Sequence, residues 1–340
     1  MHRSVPFEKQ NQKWSLLFVF SIAILLVITG FLSSLKWGQA SISWTTLFEA
    51  LTYQGHEKEH LYIQTLRLPR TLTAFIVGIH FALAGLLTQS LTGNPLASPH
   101  IIGIHAGASL FVVMSIVFFS GLTLTHSIYF AFIGAAFGAF LVWMLAGTQQ
   151  QQPIRLALAG IAVHFLLASL TEGLILMHQH AMDSMMFWLV GAVNQAGWVE
   201  VRTILPWTII GLIGILIMIP SFKLLAMDDA VAIGLGQRIA FVKGICILLV
   251  VLLAGSAVAI CGPIGFIGLL IPHIARALVG HRFIVLVPLT ALLGGCLLIY
   301  ADFISRYIAF PYESPVGILT ALIGGPFFIY LARKRGGALS

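Results

Sequence analysis

Apolar runs long enough to cross a bilayer recur from one end of the chain to the other, and no other feature restricts the fold as strongly. Residues 14–35, 125–146, 204–220, 241–260 and 283–299 are almost free of charge. At a helical rise of about 1.5 Å per residue, each has the length that a hydrocarbon core of about 30 Å requires. Lipid offers the backbone no hydrogen-bond partner, so each run must satisfy its own N–H and C=O groups as a helix. With the weaker runs between them the count comes to about ten transmembrane helices, which predicts an all-α, polytopic membrane protein. The first run is about twenty residues long and ends Ser33-Ser34-Leu35-Lys36-Trp37. It reads as an uncleaved first helix rather than a signal peptide, whose apolar part is shorter.

Composition closes the soluble alternative. Of 340 residues, 59% are hydrophobic and 9% charged, more apolar surface than a soluble domain of this size can hide. The formal charge of +7 does not signal nucleic acid, because no basic stripe alternates with aromatics. It reads instead as a topology signal. With the amino terminus inside, twelve of the 18 Lys and Arg residues fall on the cytoplasmic side, leaving Lys36, Lys58, Arg67, Arg70, Arg202 and Arg306 outside. The expected organisation is one transmembrane domain over residues 1–340, with cytoplasmic tails at 1–13 and 333–340 and a cytoplasmic loop at 221–243. Cys246, Cys261 and Cys296 lie in or beside apolar segments without CxxC spacing, as small packing residues do.

Several local patterns compete for a function. His56-Glu57-Lys58-Glu59-His60 matches HExxH, in which two imidazoles one turn apart bind zinc and the glutamate activates water. Its charged loop, lacking an evident third ligand, equally fits a solvated turn. An intramembrane zinc protease is therefore one class to weigh, although no metal is expected. The Asp228-Asp229 pair has no third acid and no second cluster with which to hold a diphosphate metal, and no GxSxG elbow occurs. An ion-coupled carrier places acids at membrane depth. Glu172 and Asp302 are the candidates, and Asp302 has Arg306 one turn later, where structural pairing is the simpler reading. None of the 33 glycines precedes a lysine, so no P-loop exists and any ATP chemistry belongs to a separate chain. Gly134 and Gly138 form a GxxxG pair suited to close helix packing. Leu83-Ala84-Gly85 with Pro99-His100-Ile101 echoes Leu253-Ala254-Gly255 with Pro272-His273-Ile274, either an internal repeat or a coincidence of an apolar sequence.

Motifs in order along the chain carry a resemblance. They are Arg67-Leu68-Pro69-Arg70, Asn94-Pro95-Leu96-Ala97, Leu158-Ala159-Gly160-Ile161-Ala162 and Phe187-Trp188-Leu189-Val190-Gly191, then Gly262-Pro263-Ile264-Gly265-Phe266, Pro272-His273-Ile274-Ala275-Arg276, Ala301-Asp302 and Pro315-Val316-Gly317. Together they resemble the membrane permeases of binding-protein-dependent ABC importers for iron-siderophore complexes, heme and vitamin B12. The resemblance implies the type II importer permease fold in a bacterial cytoplasmic membrane. It also implies a second permease subunit, identical or homologous, a cytoplasmic ATP-binding subunit dimer, and an extracytoplasmic binding protein that delivers the siderophore. Lipid is the remaining partner; no cofactor, no catalysis and no nucleic acid are implied. An iron(III)-siderophore is the expected cargo, with heme or a corrinoid as the alternative and an ion-coupled carrier as the rival class.

Residue by residue, the resemblance implies that Arg67, Arg70 and Arg306 meet carboxylates of the binding protein, a task that suits the forked guanidinium. Leu225, Ala226, Asp228, Asp229, Ala232, Leu235 and Gly236 fall in the segment that couples to the ATPase, although Asp228 and Ala230 depart from its usual pattern. Gln151, Gln152 and Pro153 fall at the inner gate. His80, His105 and His164 interrupt apolar helices. They either line the path or make packing hydrogen bonds, with a heme contact aided by Met177, Met182, Met185 and Met186 as a third option.

Overall fold

A computed structural model describes residues 6–38, 42–55, 57–119, 124–147, 153–178, 186–225, 234, 238–308, 310 and 312–336. Among these the chain is helical without a strand. It runs through α1 (Pro6–Lys36), the short α2 (Trp44–Leu51), α3 (Lys58–Thr92), a 3-10 turn (Pro99–Ile102), α4 (Ile104–Phe118), α5 (Leu124–Ala146) and α6 (Pro153–Met177). The second half comprises the short α7 (Met186–Val190), α8 (Trp198–Leu225), α9 (Ile239–Cys261), α10 (Ile267–Val279), α11 (Phe283–Ile308) and α12 (Val316–Gly336). Among the described residues seven helices are long and apolar enough to span a membrane, and α4, α10 and the Val316–Leu331 part of α12 are shorter apolar ones. Taken together they are roughly consistent with the count of about ten that the sequence predicts.

Helix ends run past the apolar runs. α8 continues to Leu225, inside the expected 221–243 loop, and α1 begins at Pro6, inside the expected tail. Hydropathy marks where lipid ends, whereas good helix formers such as Lys9, Gln10 and Gln12 extend the backbone ladder beyond it. α9 begins at Ile239, inside the same expected loop, and most of the residues between α8 and α9 lie outside the described set.

Burial ranks the spans. α3 is the most enclosed and α1 the most exposed. α3 reaches the centre because its glycines admit neighbouring backbones: a Cβ on Gly78 would stand 2.3 Å from the Gly294 carbonyl oxygen, and one on Gly85 would stand 2.0 Å from that of Gly268. Helices in lipid gain little from burying apolar surface, so such close approach, with its dispersion contacts, is what holds them together. The Gly134 and Gly138 pair does the same on α5, where it lies against Gly107 and Gly103 at α4. The sequence echo has a spatial counterpart. α3 packs on α10 and α11, while α9, which carries Leu253-Ala254-Gly255, packs on α4 and α5.

His80 sits wholly inside this centre. Its Nε2 is 2.8 Å from Thr208 Oγ1 on α8, and its Nδ1 lies 3.0 Å from Ser256 Oγ and 3.1 Å from the Leu253 carbonyl oxygen on α9. An imidazole at that depth requires partners, and these three tie α3 to two other spans.

Candidate functional site

The site begins with a proline. Pro69 has no N–H to give the carbonyl four residues back, and just before it the helix widens into a π turn over Ile63–Arg67, with the Leu68 N–H bonding to the Ile63 carbonyl. Widened turns of this kind re-aim side chains at functional positions. Arg67 and Arg70, three residues apart, consequently share one face of α3 and line a cavity of about 270 Å³ with Arg306, Glu313, Tyr62 and the Asn194–Gln195 turn. The three arginines that the sequence singles out thus converge from α3 and α11.

Their charges are organised by two carboxylates. Asp302, buried on α11, accepts from Arg70 Nε at 3.0 and 3.1 Å and from Arg70 NH2 at 2.7 Å. Its other flank accepts from Arg306 NH2 one turn along the same helix, the pairing that the sequence spacing anticipates. Arg70 NH1 reaches across to Glu313, at 2.9 and 2.8 Å from its two oxygens. Arg306 also donates to the Ser34 carbonyl and hydroxyl, and its Nε is buried without a hydrogen-bond partner. Arg67 donates to the Leu35 and Lys36 carbonyls at the end of α1 and lies 5.0 Å from the Tyr62 ring. Three guanidiniums against two carboxylates leave the cluster one positive charge in excess. A cavity walled by excess positive charge suits an incoming carboxylate.

The remaining candidates divide. His105 and His164 do meet, through a residue the sequence reading passed over: the His100 Nδ1 lies 3.3 Å from the His105 Nδ1, and the His100 ring stands 4.5 Å from that of His164. His105 Nε2 and His164 Nδ1 are buried without hydrogen-bond partners. His80 is apart from this group. Glu172 is exposed on α6, whereas Asp302 is locked between two arginines. His60 has both nitrogens engaged, one by the Glu57 backbone N–H and one by Glu49 at 3.2 Å, and no group of three or more metal-binding side chains occurs among the described residues. His56, Gln151, Gln152, Met182, Met185, Ala226, Asp228, Asp229, Ala232, Leu235 and Gly236 lie outside the described residues. Pro153 opens α6 and Leu225 closes α8. Glu313 is a cavity residue that the sequence reading missed; its signal was an acid two residues before the Pro315-Val316-Gly317 motif.

Residues 24–334 match the FecCD transport family. The chain belongs to that family. It is 45% identical over 320 residues, 94% of this chain and 96% of the other, to the Fe(3+)-citrate import system permease protein YfmD of Bacillus subtilis. It is 37% identical over 342 residues, 98% of this chain and 89% of the other, to the iron(3+)-hydroxamate import system permease protein FhuB of the same organism. Among solved structures, an inward-facing metal-chelate type ABC transporter superposes with a TM-score of 0.80 at 30% identity, covering 93% of this chain and 99% of its own. FecCD members of this kind are permease subunits, and the ten-helix architecture is that of an ABC importer permease.

Proposed function

We propose that this FecCD-family chain is the permease subunit of an ABC importer that passes an iron(III)-siderophore across a bacterial cytoplasmic membrane. The observation that carries the reading is the convergence of Arg67, Arg70 and Arg306 on one cavity at the end of the bundle opposite the α8–α9 connection. The positive-inside count puts this cavity outside, the α8–α9 connection inside and both chain ends in the cytoplasm. A binding protein then places acidic side chains in the arginine cavity, and a dimer of ATP-binding subunits engages the connection that includes Asp228 and Asp229. The absence of any Gly-Lys pair keeps ATP hydrolysis on those subunits.

The mechanism follows from helices that run from the connection to the opposite end, α8 with Pro206 and Pro220 inside it, so closure of the ATPase dimer on the connection is transmitted along α8 and α9. Gln151, Gln152 and Pro153 stand at the same inner end by sequence position and mark the inner gate. His105 and His164, with His100, form a cluster of imidazoles beside the 3-10 turn and α6, and the reading assigns this cluster to the path.

The cargo reading rests on relatives whose names specify ferric citrate and ferric hydroxamate. It is tested with the permease, its ATPase and its binding protein in lipid vesicles, loaded with iron-55 citrate, an iron-55 hydroxamate, an iron-55 catecholate, heme or cobalamin. Uptake of one of the three iron-55 chelates above heme and cobalamin is expected. A preference for heme or cobalamin would replace the cargo while leaving the importer.

A further inference from the structure

We infer that Glu313 is an internal stand-in for the docking partner's carboxylate, holding Arg70 until docking displaces it and thereby setting how tightly the partner binds. The inference rests on the docking reading above. The two acids on Arg70 are not equivalent. The Asp302 side chain is 2% exposed and shared with Arg306, a fixed counter-ion inside the bundle, whereas the Glu313 side chain is 24% exposed and itself lines the cavity. Nη1 of Arg70 donates to Glu313, whereas Nε and Nη2 donate to Asp302. One edge of this guanidinium is permanently committed, and the other is occupied by a group that solvent already reaches.

A carboxylate arriving through the cavity meets Arg70 at this second edge and competes with Glu313 for it. Like charges at one guanidinium repel, so the partner's affinity is reduced by the free energy of the Glu313 pair, and removing the resident charge returns it.

Displacement also has somewhere to go. Glu313 lies three residues before α12, in a short connection from α11 whose Ser314 N–H bonds to the Ser305 carbonyl at 3.3 Å. The first turn of α12 is seated against the end of α7, with the Gly317 N–H 2.9 Å from the Gly191 carbonyl oxygen and no room there for a Cβ, which would stand 1.9 Å from the Val190 carbonyl oxygen. α12 otherwise packs only on α10 and α11 among its principal neighbours. Freeing Glu313 therefore releases one tie on the connection that leads into α12, and the docking event acquires a route to that helix.

The test uses the assembled permease and ATPase in lipid discs, with the binding protein titrated over them and ATP hydrolysis followed in parallel. Glu313→Gln, which keeps the shape and loses the charge, is expected to tighten docking about fivefold or more and to shrink the stimulation of hydrolysis that docking produces. Glu313→Asp, which keeps the charge, is expected to dock as the parent does and controls for folding. Unchanged or weaker docking of Glu313→Gln, with Arg70→Glu abolishing it, would overturn the role of Glu313 and leave the docking cavity standing. Docking that survives both Arg67→Glu and Arg70→Glu would remove the cavity from the docking surface altogether, and the inference with it.

Discussion

Replacing Asp302 by asparagine removes the one carboxylate that serves two buried arginines. In the parent it accepts three bonds from Arg70, at 2.7, 3.0 and 3.1 Å, and a further bond from Arg306. Asparagine keeps one carbonyl acceptor but turns an amide N–H₂ toward guanidinium donors. The excess positive charge of the cluster doubles, with Glu313 as its only remaining carboxylate. Removing one partner of a buried ion pair costs roughly 3–5 kcal/mol, against about 1 kcal/mol or less for an exposed pair. The lower end applies here because Glu313 and Ser34 retain bonds to the two arginines. A loss of about 3 kcal/mol is on the order of a hundredfold in the folded-to-unfolded ratio. The chain reports its own unfolding, because Cys246, Cys261 and Cys296 are all buried free thiols. A thiol-reactive fluorophore followed through a detergent-denaturation series should show a marked shift to lower denaturant for Asp302→Asn. A shift worth less than about 1 kcal/mol would refute the view that the network is a buried, coupled unit.

Other consequences are equally open to measurement. Reversing Arg67 and Arg70 to glutamate should abolish binding-protein docking and uptake; retained docking would contradict the cavity assignment. Gly85→Leu places a side chain where a Cβ already stands 2.0 Å from the Gly268 carbonyl oxygen, so α3 and α10 must part, and the variant should be lost from the detergent-soluble, monodisperse fraction in size-exclusion chromatography. His80→Leu removes the bonds to Thr208, Ser256 and Leu253 and is expected to cost about 2 kcal/mol in the same thiol-labelling assay, whereas His100→Ala should leave stability near the parent and show its effect in uptake.

The spans were legible because a bilayer imposes a length on apolar sequence, and α1, α5, α8, α9 and α11 announce themselves. α4 and α10, at 15 and 13 residues, fall short of that length and were recoverable only by counting and by resemblance. Arg67, Arg70 and Arg306 were identifiable by motif, and Asp302 with Arg306 by helical spacing. The pairings of Arg70 with Asp302 and Glu313 bridge 232 and 243 residues, and no local rule connects positions so far apart. His80 illustrates the same limit: an imidazole in an apolar helix signals a need for partners, but its partners on α8 and α9 become visible only when the helices are packed. The HExxH match shows the converse, a five-residue pattern whose His60 the fold spends on its own backbone and on Glu49.

The energy source tests the central claim most directly. Sealed vesicles holding the permease, its ATPase and its binding protein are given an iron-55 chelate, first with ATP and no ion gradient and then with a proton or sodium gradient and no ATP. The account predicts uptake in the first arm only, and none when Arg67 and Arg70 are reversed. Uptake in the second arm, without any ATPase and lost on changing Glu172 or Asp302, would contradict it and make the chain an ion-coupled carrier.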